Sequence, residues 1–208
     1  MKAFLGLAVA AALALLALPA GAQTNAGPWS VSLEGGVALP QNLNIKGGDT
    51  IDFDAGYRFD AGVGYQLFKP LTAEVEAGVI HNNVNSIGGL AVASYGGSAA
   101  LYQVPLIAEL ILAPPGQRIV KPYIGGGVGG VATVAQLDTP LGDVHDTDFT
   151  FCYQATAGIK LQAGDHLEFG VVYKFLGSLD HSWSQNGVTF NTEGMLTHTI
   201  MAVFTWKF

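Results

Sequence analysis

Residues 196–208 run Leu-Thr-His-Thr-Ile-Met-Ala-Val-Phe-Thr-Trp-Lys-Phe. Even positions carry Leu196, His198, Ile200, Ala202, Phe204, Trp206 and Phe208, and odd positions carry Thr197, Thr199, Met201, Val203, Thr205 and Lys207. Side chains alternate between the two faces of a strand, so this segment predicts one apolar, aromatic face and one mostly polar face. The alternation recurs upstream. It predicts eight strands, at Trp29–Ala38, Gly56–Leu67, Thr72–His81, Ala100–Leu112, Val120–Thr133, Phe149–Leu161, His166–Gly177 and Leu196–Phe208. Each is long enough to cross a bilayer at a tilt, for which about 9–11 residues suffice.

The connections alternate in length. Phe68–Leu71, Ala113–Arg118 and Gln162–Asp165 are tight, whereas Leu39–Ala55, Asn82–Ala99, Val134–Asp148 and Ser178–Met195 are long and polar. An even strand number with short turns at one end and long loops at the other is the pattern of a transmembrane β-barrel. The expected fold class is therefore all-β, an eight-stranded antiparallel up-and-down barrel. No further domain is expected after the last strand.

Parity assigns the faces. In the second strand Tyr57, Phe59, Ala61, Val63, Tyr65 and Leu67 face outward, leaving Arg58 and Asp60 inside. In the third, Glu74 and Glu76 go in; in the sixth, Cys152, Gln154 and Lys160; in the seventh, Glu168 and Lys174. A Lys or Arg on the lipid face at mid-bilayer would cost about 2–4 kcal/mol, which fixes the register. The fourth strand is apolar on both faces except for Gln103 and Glu109, which are placed inside, and Pro105 suggests a bulge. The glycines at 125–127 and 129–130 lack a P-loop signature and predict a bend, or room for large side chains from the opposite wall. Trp29, Tyr65, Tyr123, Trp206 and Phe208 are expected in one interfacial girdle, and Tyr57, Phe59, Phe149, Phe151 and Phe175 in the other.

Composition narrows the class. Half the residues are apolar and only 12% are charged, yet no run after the leader is long enough for a membrane helix. Lys2, the apolar run Ala3–Leu18 and Ala20-Gly21-Ala22 form a secretory signal, with cleavage expected after Ala22. Residues 23–208 then form one barrel domain of about 186 residues. A net charge of −7 disfavours nucleic acid as a partner, because that binding rests on neutralising phosphates with Lys and Arg. Cys152 is the single cysteine and cannot pair within the chain; mid-strand, it reads as a packed thiol.

The eight alternating strands, the segment Lys121-Pro-Tyr-Ile-Gly-Gly-Gly-Val-Gly and the terminal Phe204-Thr-Trp206-Lys-Phe208 resemble the small outer-membrane β-barrel family. That family includes the transmembrane domain of outer membrane protein A, outer membrane protein X, the opacity proteins and many porin-family chains. The resemblance implies a location in the cell outer membrane, among its lipids and lipopolysaccharide. It also implies insertion by the barrel assembly machinery, for which Phe204, Trp206 and Phe208 would be the signal. It does not assign a function, since this fold hosts adhesins, structural barrels, narrow pores and enzymes.

Four groups of residues could carry chemistry. The lumen set is Glu34, Arg58, Asp60, Glu74, Glu76, Glu109, Lys160, Glu168 and Lys174. It could line an ion path, but an eight-strand interior is just wide enough for side chains to fill, so a plug of ion pairs is expected. The loop acids Asp49, Asp52, Asp54, Asp138, Asp143, Asp146 and Asp148, with His145, match no defined calcium loop and are read as solvated charges. Asp180-His181-Ser182-Trp183-Ser184 is the best enzyme candidate, and the chain resembles the lipid A deacylase barrels in size and strand number. The His-x-Ser-Asn signature of those enzymes is not met, because Trp183 stands two after His181. His181 and Ser182 are also neighbours and would point to opposite faces of a strand. His81, His145, His166 and His198 are dispersed without zinc spacing. The expectation is thus a monomeric, non-enzymatic barrel with no cofactor, no metal and no catalytic residue. It would stabilise the envelope or present its loops to an extracellular ligand. The alternatives are a narrow pore for small solutes or ions and a lipid A acyl hydrolase. A soluble lipocalin-like barrel, with apolar residues turned inward, is the structural rival.

Overall fold

The computed structural model describes residues 27–44, 50–95, 98–114, 119–139, 142–185, 188–192 and 194–208. Eight long strands form the wall: β1 (Trp29–Pro40), β2 (Gly56–Phe68), β3 (Leu71–Ile87), β4 (Ser98–Leu112), β5 (Val120–Thr139), β6 (Gly142–Gln162), β7 (Leu167–Ser178) and β8 (Leu196–Lys207). Every neighbour in sequence pairs antiparallel, and β1 pairs with β8, so the sheet closes without an edge. Closure matters because an open edge in hydrocarbon would leave backbone N–H and C=O groups unpaired. No helix among the described residues is long and apolar enough to cross a membrane.

The alternation read from the sequence fixes the faces. In β8, Thr197, Thr199, Met201, Val203 and Thr205 are buried in the lumen, while Ile200, Phe204 and Trp206 are exposed on the outside. In β4, Gln103, Ile107 and Glu109 are buried, and Leu106 and Leu110 are exposed. The soluble-barrel rival would need the reverse.

Four local expectations are corrected. The segment 134–148 is not a loop: β5 and β6 stay paired from Val120↔Leu161 to Thr139↔Gly142, so the hairpin extends well past the other strands. Valine and threonine in that stretch suit a pleated ladder, and its polarity masked the strand signal. Pro105 causes no bulge. The β3–β4 register runs unshifted from Ala77↔Leu106 to Ile80↔Gln103, and the ladder merely lapses beside the proline, which has no N–H to give. A register shift occurs instead between Gln66 and Phe68, where β2 turns into β3. Tyr123 is no girdle residue; it is 6% exposed and faces the lumen. The glycines of β5 make room for the adjacent strand, not the opposite wall. A Cβ on Gly125 would lie 2.6 Å from Glu109 Oε1, and one on Gly127 would lie 2.8 Å from Ile107 Cγ2, both side chains coming from β4.

Short elements fill the long loops. Leu43–Asn44 pairs with Thr50–Phe53, and the latter docks on the outer end of β3. The pair Leu90–Ala91 and a short 3₁₀ turn at Val92–Tyr95 follow β3, and a small hairpin joins His181–Gln185 to Val188–Thr192. At the other end the turns are tight; Gly164, with φ of 91°, closes the one between β6 and β7, where a side chain would be strained.

Candidate functional site: the lumen

The interior is layered along the barrel axis, and parity explains why. At the short-turn end, Tyr123, Val172, Met201 and Val203 form an apolar cluster, with Ile111 and Ala113 against it. Nearer the long loops, Ala38, Ile80, Ile107, Val131, Cys152 and Leu176 form a second. A third, of Leu43, Leu101 and Met195 with Ile51 and Phe53, lies at the long-loop end. Charged residues lie between the first two. The order can be followed on single strands: Val172, Lys174, Leu176 on β7, and Ile111, Glu109, Ile107 on β4.

The charged layer is centred on two bases. Arg58 Nε donates to Asp60 at 2.9 Å, and Arg58 Nη2 donates to Glu76 Oε1 at 3.1 Å and to Gln154 Oε1 at 2.7 Å. Lys174 Nζ lies 2.6 Å from Glu34 Oε2 and 3.2 Å from Asp60 Oδ2, and also donates to Glu76 Oε2. Gln154 Nε2 donates to both Glu76 and Glu109 at 3.3 Å, which ties the fourth strand to the network. Glu74 accepts a 2.7 Å bond from Ser32. Arg58 is 0% and Lys174 1% exposed, so the network is out of reach of bulk water. Buried charges persist only when paired and hydrogen-bonded, and six of the eight strands contribute to this pairing.

The nine sequence-selected lumen residues thus fall into three places. Glu34, Arg58, Asp60, Glu76 and Lys174 meet in the central network, with Glu74 and Glu109 at its side. Glu168 sits apart at the short-turn rim, where Lys121 and Lys207 donate to its Oε1 at 2.7 and 2.6 Å. Lys160 stands over the Tyr123 ring, 4.8 Å from its centre. Sequence reasoning did not select Ser32, Gln154, Lys121 or Lys207 as members. The inward parity of Lys121 on β5 and Lys207 on β8 was the signal that could have found them.

Among the described residues, the other candidates do not converge. Phe204 and Trp206 face outward; Phe208 lies just past β8, and its N–H donates to the Trp29 carbonyl at 3.0 Å. Asp52 accepts from Ser86 at 2.6 Å, and Asp54 is exposed. Asp49 lies outside the described residues, as do the side chains of Asp138, Asp143, His145, Asp146, His181, Ser182 and Trp183. The ring of His81 stacks on Tyr57 and meets Tyr102 edge-on; His166 stacks on Trp206; His198 contacts Gln41 and the Tyr173 hydroxyl.

Comparison with known proteins agrees with this architecture. The fold is similar to that of outer membrane protein OprG from Pseudomonas aeruginosa, at 18% identity and a TM-score of 0.59, covering 88% of this chain and 98% of that one. It is similar to Neisserial surface protein A, at 15% identity and a TM-score of 0.57, covering 88% and 99%. It is also similar to outer membrane protein AlkL, at 15% identity and a TM-score of 0.58, covering 91% and 94%. A search of curated proteins gives no match. The family model described as "Outer membrane protein beta-barrel domain" matches residues 8–208, and the chain belongs to that family, an integral protein of the outer membrane.

Proposed function

We propose that this protein is a non-enzymatic outer-membrane barrel with a plugged lumen, acting through its wall and its extracellular loops. The observation that carries this reading is the Arg58–Lys174 network held between two apolar layers. An ion crossing the barrel would have to break that network and pass two side-chain constrictions that exclude water. The reading includes a monomer, delivered by the barrel assembly machinery through Phe204, Trp206 and Phe208, in a bilayer bounded by lipopolysaccharide. Short turns then face the periplasm, and the extended β5–β6 hairpin stands outside, where an extracellular ligand would meet it.

Planar-bilayer recording on the refolded, heat-modifiable protein tests the plug. The expected result is a silent membrane. Reproducible openings, altered by substitution of Glu74 or Lys160, would make the protein a narrow pore.

A further inference from the structure

Charge is sorted along this barrel. The segments 39–55, 82–99, 134–148 and 178–195 together carry many acids and a single Lys or Arg, Lys46. The described bases of the short-turn end are Lys69, exposed in the turn after β2, and Lys121, Lys160 and Lys207. The last three come from β5, β6 and β8 and have inward parity. Among the described residues, Glu168 on β7 is the one carboxylate that meets them: Lys121 Nζ and Lys207 Nζ both reach its Oε1, at 2.7 and 2.6 Å. Two ammoniums on one oxygen lie close to each other. To get there, Lys121 must cross the inner face of β6, where Lys160 stands directly opposite it in the β5–β6 ladder. Directly opposed like charges repel.

Two further observations mark a place for an anion. Lys160 has no carboxylate partner among the described residues; its ammonium rests instead 4.8 Å from the centre of the buried Tyr123 ring. Thr205, 2% exposed, stands directly opposite Glu168 in the β7–β8 ladder, and its Oγ1 has no hydrogen-bond partner among the described residues. Three ammoniums and a spare hydroxyl thus share an arc of four consecutive strands. Against one carboxylate, the lysines leave two positive charges in excess. A phosphate monoester carries about −1.5 to −2 at neutral pH, and its three free oxygens can accept from several ammoniums at once. We propose that Lys121, Lys160 and Lys207 bind a phosphate group at the short-turn mouth, with the Thr205 hydroxyl beside it.

The anion neutralises the lysines that Glu168 leaves in excess and offsets the repulsion between Lys121 and Lys160. With the short turns facing the periplasm, as proposed above, two sources of phosphate reach this mouth. One is a soluble phosphate; the other is the headgroup of an anionic phospholipid in the adjacent leaflet. The site rests on the three lysines and not on the plugged lumen, so it stands or falls separately from that reading.

The test is isothermal titration calorimetry of the full chain refolded in maltoside micelles, which contain no phosphate. Folding is checked by the shift of the unboiled band on a gel. Inorganic phosphate is titrated at constant ionic strength, with chloride as the reference. The expected result is saturable heat from phosphate, with affinity about tenfold or more weaker in Lys160→Gln and unchanged in Lys69→Gln. Lys121→Gln provides the same comparison if Lys160→Gln does not fold. Micelles doped with phosphatidylglycerol separate the sources. Loss of the phosphate heat there assigns the lipid headgroup, and its persistence assigns a soluble phosphate. No saturable heat from phosphate, or equal affinity in wild type and the mouth variant, would overturn the proposal. So would an equal loss in Lys69→Gln, which would mean diffuse attraction to the whole short-turn end.

Discussion

Two clusters in this barrel use the same chemistry and differ in exposure. In the central network, the side chains of Arg58, Asp60, Glu76 and Lys174 are 0–2% exposed. At the short-turn rim, Glu168 is held by Lys121 and Lys207, whose side chains are 21% and 34% exposed. The distances are alike, so distance does not separate them. Water does. At the rim the two ammoniums keep water contact, and losing either leaves the other on Glu168, itself 5% exposed, so a single pair there is worth little. In the centre a freed charge has only low-dielectric surroundings and other acids, so each member is held by the cost of losing its partner. The rim can tolerate variation, whereas the central layer stands or falls as a unit.

The sharpest way to break that contrast is to remove a central base. Lys174→Met keeps the volume, leaves Asp60 and Glu76 with Arg58 alone and removes the ion-pair partner of Glu34. Arg58→Ala leaves Asp60 and Glu76 with Lys174 and removes the donor to Gln154 as well. Either is expected to destabilise the barrel by about 3–5 kcal/mol, read from urea unfolding by tryptophan fluorescence in lipid vesicles. An unchanged midpoint for both would mean that the network carries no weight in folding.

A smaller effect separates backbone from side-chain constraint within β5. A Cβ at Gly127 would lie 2.6 Å from the Ala108 carbonyl oxygen, part of the neighbouring ladder. A Cβ at Gly125 would meet the carboxylate end of Glu109 at the same distance, and that end can swing away. Gly127→Ala should therefore cost about 1–3 kcal/mol by the same unfolding assay, with Gly125→Ala costing less. The reverse order would show that Glu109 is fixed as firmly as backbone.

These contrasts also show what was legible in the sequence. The fold was readable because a strand in lipid must alternate strictly, and a charge out of register is expensive; that is why parity placed Glu34, Asp60, Glu109 and Lys174 inside from local pattern alone. Parity gives a face and not a neighbour. Which carboxylate meets Lys174 depends on the register of successive ladders around the closed wall, and no local pattern contains that. Gln154 was placed inside but not recognised as the link between Glu76 and Glu109, because a neutral amide gives no charge signal. The β5–β6 hairpin failed for the opposite reason: outside the membrane both faces of a strand can be polar, and the alternation disappears.

The rim offers the smallest effect and the cleanest control. Lys121 donates to Glu168 at 2.7 Å and is matched there by Lys207, so Lys121→Ala leaves one ammonium in place. The expected loss is below about 1 kcal/mol, and salt at a few hundred millimolar should shrink it further, since exposed pairs are screened over about 8–10 Å. With a plugged lumen, the central variants should keep their deficit in the same salt, because their layer lies between Val172, Met201 and Val203 on one side and Ile80, Ile107 and Leu176 on the other. Measuring Lys121→Ala and Lys174→Met at low and high salt therefore tests exposure as the variable that separates the two clusters. If salt rescued Lys174→Met as well, ions would be reaching the centre of the barrel, and the closed lumen would be the wrong description.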